Sequence, residues 1–181
     1  MAQIYLYKVI NCNDDVLNDI SSLYHSAFPV EERRPWCNIL KHIKDSTQFS
    51  MYAVKDMNNS FVGFITTWTF PEAIYIEHFA VSKSMRGSGY GTDIIKHFFS
   101  ESNNIILEVE LPGSNEMADK RISFYEKNGF KSLPDIPYIQ PPYSPELESL
   151  PMMLMVKHDF QNIVSFINDF QDLVYNKSLL M

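Results

Sequence analysis

The chain has only two cysteines among its 181 residues. Cys12 and Cys37 form no C-x-x-C pair and have no histidine partners at metal-ligand spacing. Neither a disulfide framework nor a metal is implied, and both read as free thiols in a reducing compartment. Basic residues are outnumbered, 15 Lys and Arg against 22 Asp and Glu, giving a formal charge of −7 and a pI near 5.2. Nucleic-acid binding depends on cations neutralising phosphates, so it is disfavoured here and a cationic partner is favoured. No window reaches the roughly 18 apolar residues of a membrane span. The N-terminal MAQIYLYKVI lacks a basic start followed by a long apolar stretch. These absences point to a cytoplasmic protein with no membrane partner. Glycine is also scarce, six in all, and Gly87, Gly89 and Gly91 fall in one short run.

With 45% hydrophobic and 14% aromatic residues, the chain is long enough for one sizeable core. It is organised around residues 74–99, IYIEHFAVSKSMRGSGYGTDIIKHFF. Ile74, Tyr75, Ile76, Phe79, Ala80 and Val81 make an apolar run of strand length, interrupted by Glu77 and His78 on opposite faces. Then comes R-x-x-G-x-G, spelled by Arg86, Gly87, Ser88, Gly89, Tyr90 and Gly91, and a helix beginning near Gly91 or Thr92 with Ile94, Ile95, Phe98 and Phe99 at helical spacing. Glycines at a strand-to-helix turn let backbone N–H groups converge on one point. The helix N-terminus and Arg86 add positive charge, so a pyrophosphate is the expected guest. No Lys-Ser or Lys-Thr closes the loop, and the spacing is not G-x-G-x-x-G, which excludes a P-loop and a Rossmann fingerprint.

The remaining elements fall into order around that unit. Residues 3–10 have strand character, and Val16, Ile20, Leu23, Tyr24 and Ala27 share a helical face that Asn13 or Asp14 can cap. A charged, proline-bracketed segment, residues 28–36, leads to a shorter helix with Trp36, Ile39, Leu40 and Ile43 inward. Residues 49–55 and 61–70 read as a hairpin, and a turn at residues 71–73 delivers the chain into the organising strand as an antiparallel meander. Residues 105–111 make a strand that the crossover sets parallel to residues 74–81. A helix follows over residues 117–128, stopped by Gly129. Residues 133–151 hold six of the ten prolines and read as a surface connection or a rigid lid bearing Tyr138, Gln140 and Tyr143. After a strand at residues 152–156, residues 159–180 form an amphipathic helix with Phe160, Ile163, Val164, Ile167, Phe170, Leu173 and Val174 in its stripe. That stripe covers the chain's own sheet or packs on a second subunit of a homodimer.

The glycine run, together with RISFYEKNGF at residues 121–130, resembles the GNAT acetyltransferase superfamily. The first block is similar to that family's acyl-CoA pyrophosphate loop and the second to its next helix, which ends in an aromatic-Tyr...Gly-Phe pattern. The resemblance implies an α/β (α+β) GNAT fold. That fold has a mixed, mostly antiparallel sheet with a splayed central parallel strand pair, flanked by helices. The GNAT domain would be residues 1–156, with an extra C-terminal helix over residues 157–181. The resemblance also implies acetyl-CoA as acyl donor, held by Phe79, Ala80 and Val81 along the strand and by Arg86, Gly87, Ser88, Gly89, Tyr90, Gly91 and Thr92 in the loop. It places the charged helix-loop-helix, with Glu32 or Arg33, at the mouth for the acceptor, a small-molecule or peptide amine. One departure stands out: many relatives carry Asn seven residues before the Tyr, and Ala118 occupies that place.

Acyl transfer to an amine needs a base for the ammonium, polarisation of the thioester carbonyl and a proton for the leaving sulfur. Tyr125 sits where similar enzymes place the acid. A backbone N–H around Phe79 or Ala80 would polarise the carbonyl. For the base the contenders are Glu77, Glu108 and Glu110, with Glu77 preferred because it interrupts an apolar strand close to the expected thioester. The expected activity is N-acetyl transfer from acetyl-CoA by direct attack in a ternary complex, and the alternative is a non-catalytic acyl-CoA-binding or regulatory module.

Overall fold

The computed structural model describes residues 3–100, 104–158, 160 and 162–176. Eight strands form one sheet: β1 (Ile4–Lys8), β2 (Phe49–Asp56), β3 (Phe61–Thr69), β4 (Ile74–Val81), β5 (Ile105–Glu110), β6 (Lys131–Ser132), β7 (Tyr138–Gln140) and β8 (Leu150–Lys157). The order is β1-β2-β3-β4-β5-β8-β6, with β7 beside β6 along the outer edge of β8. Among the described strands only β4 and β5 run parallel. Five helices cover the faces: α1 (Val16–Ala27), α2 (Trp36–Asp45), α3 (Tyr90–Phe99), α4 (Glu116–Lys127) and α5 (Ile163–Gln171). Two hydrophobic clusters result, one beneath α1, α2 and α5 and the other beneath α3 and α4.

Local chemistry sets the element ends. The β2–β3 turn closes because the Asp56 carboxylate accepts from the N–H groups of Asn58 and Ser60. Val16 N–H donates to Asp14 Oδ1 at the start of α1, and Asn115 caps α4 by accepting from Ala118 N–H. Gly89, with φ of 85°, is the residue before α3, so that helix starts at Tyr90, one or two residues earlier than its periodicity predicts.

The proline-rich segment is neither a surface connection nor a lid. It supplies β7, which pairs with β8, and it buries Tyr138, Gln140 and Tyr143. Pro137 and Pro141 flank β7, which pairs on one side only, and such an edge tolerates proline because no second neighbour needs its missing N–H. The tail helix α5 is shorter than its apolar stripe predicts and continues into a wider π-type turn, Asp172–Asn176. The ends of the expected 159–180 helix lie outside the described residues. Phe166, Ile167, Phe170 and Val174 face the chain's own core. Among the described residues no helix is long and apolar enough to cross a membrane.

Two irregularities in β4 position the site. Ile76 pairs with Thr67 and His78 with Thr66, so Glu77 is an extra residue, a β-bulge. Pairing of β4 with β5 ends at Ile76 and Leu107, after which the strands part. Ser82 N–H bonds to Val62 O, so strand alternation turns the main-chain groups of Phe79 and Val81 away from β3 into the opened gap.

Candidate active site

A cleft of about 420 Å³ follows that gap. This is ample for part of a large ligand. Phe79, Ala80 and Val81 line it from β4, Phe124 and Tyr125 from α4, and Arg86, Gly87, Gly89, Tyr90, Gly91 and Thr92 from the glycine turn. Of the ten positions expected to hold an acyl-CoA, nine meet here; Ser88 is exposed beside them. Gly87 and Gly89 have φ of 81° and 85°, a conformation that side-chain-bearing residues avoid, and the space where their Cβ atoms would lie is open. Arg86 is fixed at the mouth by its Nε donating to Val81 O at 3.0 Å. Lys120 adds a second cation. N–H groups at the start of α3, two flanking cations and an apolar inner wall suit a pyrophosphate followed by an extended thiol-bearing chain.

At its inner end the cleft adjoins a smaller cavity of about 40 Å³, room for a few waters. Phe28, Phe79, Arg121 and Tyr125 border both spaces. Glu32, His78 and Glu108 border the small cavity alone. Tyr125 is buried, its hydroxyl makes no hydrogen bond among the described residues, and burial pushes its pKa up to about 12. The group is therefore a protonated phenol with a free donor facing the junction.

The three carboxylates of the sequence reading have separate environments. Glu77 has no exposed side-chain surface and binds Arg34 through Oε1, 2.6 Å from Nη2 and 3.0 Å from Nε. Its Oε2 accepts from Trp68 Nε1 at 2.9 Å. Burial opposes its ionisation, but Arg34 and His78 outweigh burial and hold it well below the usual carboxylate range. A carboxylate so engaged is a poor proton acceptor, which weighs against Glu77 as the base. Glu110 is paired with Arg121 and accepts from Asn115 Nδ2 at 3.2 Å. Glu108 accepts from Tyr138 Oη and from Tyr175 Oη, the latter 2.9 Å from Oε1 and 3.1 Å from Oε2. Burial raises its pKa to about 7 against the pull of the tyrosine hydrogen bonds. Glu108 thus titrates near neutrality beside the small cavity, which Glu110 does not border.

His78 also departs from expectation. The bulge at Glu77 rotates the strand, so His78 lies on the same side of the sheet as Glu77, against Tyr24, Phe28 and Tyr143, with Nε2 3.0 Å from Glu32 O. Glu32 borders the small cavity with its pKa raised by burial and then by Glu110, whereas Arg33 reaches back to His25 O. Arg34, which the sequence reading passed over, is 1% exposed. Besides Glu77 it donates to Val174 O at 2.8 Å, meets His42 Nε2 at 3.4 Å, and lies over the rings of Tyr143 and Trp68. Burial and then Arg34 push the His42 pKa down to about 4, leaving a neutral ring to accept from the guanidinium. Nothing in a run of Glu-Glu-Arg-Arg between prolines distinguishes this buried arginine from its solvated neighbours.

Comparison with known proteins bears on this arrangement. Residues 48–132 match the family model described as "Acetyltransferase (GNAT) domain". A solved structure from Bacteroides thetaiotaomicron, described as "Putative acetyltransferase from GNAT family", is 30% identical with a TM-score of 0.84, over 96% of this chain and 98% of that one. The Bacillus subtilis protein "Putative acetyltransferase YjbC" is 27% identical over 112 residues, which cover 61% of this chain and 56% of that protein. The match thus spans little more than half the length of that curated relative. A spermidine N-acetyltransferase from Vibrio cholerae, solved with CoA and spermine, shares the fold at a TM-score of 0.60 and 13% identity, over 86% of this chain and 96% of that one.

Proposed function

The chain belongs to the GNAT acetyltransferase family, and within it we propose an acetyl-CoA-dependent N-acetyltransferase that acetylates a primary amine of a small molecule or peptide by direct attack in a ternary complex. The observation that carries the reading is the meeting, at one small cavity, of an unengaged phenol and a carboxyl group with a pKa near neutrality, at the closed end of a cleft built for a pyrophosphate. Acetyl-CoA would supply the activated acetyl thioester. Gly87, Gly89 and Arg86 hold its pyrophosphate, and the main-chain groups of Phe79 with the Val81 N–H, which β5 does not pair, align its chain in the gap.

Proton handling falls to two side chains. An alkylammonium has a pKa near 10, so at neutral pH the acceptor needs a base. Glu108 takes that proton directly or through water in the cavity, in place of Glu77. As the new C–N bond forms and the C–S bond breaks, Tyr125 Oη gives its proton to the leaving sulfur. Phe79 N–H polarises the carbonyl, since Ala80 N–H faces β3. Glu32 and Glu108 beside the cavity, with a net charge of −7, favour cationic acceptors, so diamines and polyamines are the first amines to screen.

Calorimetric titration with acetyl-CoA of the wild type and of Gly89→Trp, followed by an amine screen for CoA release, tests the reading. Expected is saturable wild-type binding, lost in the variant because an indole at position 89 strains the φ of 85° and fills the open cradle, then amine-dependent release. A folded wild type that binds no acetyl-CoA overturns the proposal. Binding without release over a broad amine panel instead identifies a non-catalytic acyl-CoA-binding module.

A further inference from the structure

Tyr75, Tyr138, Tyr143 and Tyr175 are buried in one cluster around Glu108, and Tyr175 is its hub. Its hydroxyl touches both Glu108 oxygens, lies 3.0 Å from Tyr75 Oη and accepts from Gln140 Nε2 at 3.2 Å. Yet Tyr175 stands 67 residues beyond Glu108, in the π-type turn that follows α5. Contacts within the turn and in α5 just before it seat this segment. Arg34 donates to the carbonyl of Val174, and Phe170 stacks on Tyr75 at 4.9 Å between ring centres. The guanidinium that neutralises Glu77 at the β4 bulge therefore also fixes the C-terminal segment against the site.

We propose that residues 163–176 complete the acceptor side of the active site, with Tyr175 as the positioning residue that orients the Glu108 carboxylate toward the small cavity. The inference rests on Glu108 being the base. A buried carboxylate with two rotatable bonds is held in one rotamer only if donors fix it. Tyr138 engages Oε1, Tyr175 lies within reach of both oxygens, and Tyr75 adds a further hydrogen bond. Other groups also face Glu108. From β4 come Tyr75 and the arginine-paired Glu77; Tyr143 stands behind Tyr175. Across the cavity are Glu32, His78 and Arg121, the last neutralised by Glu110. Among these the tyrosine hydroxyls favour the ionised form and offset part of the burial that disfavours it.

The test is to follow the Glu108 titration itself. Carboxyl ¹³C NMR of glutamate-labelled full-length protein, with the resonance assigned through Glu108→Gln, is recorded for the wild type and Tyr175→Phe, beside pH profiles of kcat/KM and acetyl-CoA titrations. Loss of the hydroxyl is expected to raise the Glu108 midpoint by about one unit, the worth of one hydrogen bond to a charged group. The acidic limb of kcat/KM should move with it, and the acetyl-CoA Kd should stay within twofold. 3-Fluorotyrosine at position 175, a stronger donor of almost the same shape, should move both in the opposite direction and serves if the phenylalanine variant does not fold. A midpoint that stays put in both variants, or a loss of rate with no shift in profile, overturns the inference. A wild type without turnover, whose Glu108 midpoint still answers to Tyr175, refutes the proposed activity and leaves the coupling standing.

Discussion

Replacing Glu108 with glutamine should cost activity and add stability, a combination that damage to the fold cannot produce. In the folded protein burial raises the Glu108 pKa from 4.5 to about 7. The folded state thus holds a proton that the unfolded chain has already released between those values. Because the folded pKa is the higher one, Glu108 costs nothing below about pH 4.5, destabilises increasingly as pH rises through the interval, and imposes its full penalty above about 7. The difference is worth about 3 kcal/mol. Glu108→Gln abolishes that titration, so its stability relative to wild type should grow by about 3 kcal/mol between pH 4.5 and 8, or by about 6–12 °C in Tm for a domain of this size. The titrations of Glu77 and His42 are common to both proteins and cancel in the difference. Amine-dependent turnover at pH 7 should meanwhile fall by about 10²-fold or more, with partial recovery above pH 9 where the free amine becomes abundant. Thermal melts at half-unit pH steps, paired with CoA-release rates, measure both. A flat stability difference across pH would refute the buried, neutral-range carboxyl. Wild-type turnover at pH 7 would remove Glu108 from the chemistry.

Tyr125→Phe should lower kcat by about 10²-fold or more with acetyl-CoA affinity unchanged, because it removes a proton and little surface; stopped-assay kinetics beside calorimetry would expose a wrong assignment through an undiminished kcat. Arg34→Met should destabilise the protein by about 3–5 kcal/mol by stranding Glu77 without its cation, and adding Glu77→Gln should restore much of the loss. Urea unfolding of the single and double variants checks this, and a single-variant cost below about 1 kcal/mol would contradict the buried pair.

Legibility in the sequence followed the physics of each part. The strand, glycine turn and helix at residues 74–99 could be read because their causes are local: apolar alternation, positive φ at Gly87 and Gly89, and helical spacing from Ile94. The cleft lining followed from the same stretch. What could not be read depends on partners distant in sequence. Glu77 is interesting in the sequence because it interrupts an apolar strand, but the cause of that interruption is Arg34, 43 residues away, and the pair takes the carboxylate out of acid–base chemistry. Glu108 acquires its raised pKa from burial that β7 and the C-terminal turn supply, against the opposing hydrogen bonds of Tyr138 and Tyr175, 30 and 67 residues away. The proline-rich segment misled for a related reason. Its composition reports a lack of internal hydrogen bonding, which edge strands share with loops.

One inserted residue in β4 links these features. Without the bulge, strict alternation would put Glu77 and His78 on opposite faces, and His78 would point into the core beneath α3 and α4. With it, Glu77 turns toward Arg34 while His78 turns toward the Glu32 carbonyl, so both polar side chains of the strand are satisfied on one side. The next residue along the same strand, Phe79, lies in the stretch beyond Ile76 where β4 no longer pairs with β5. A local change of strand direction therefore opens the gap that the cleft follows and, two residues earlier, creates the buried pair through which Arg34 holds the C-terminal turn. Chemistry and scaffold are coupled at this point, so variants of the Arg34–Glu77 pair should disturb Glu108 through Tyr175 as well as stability.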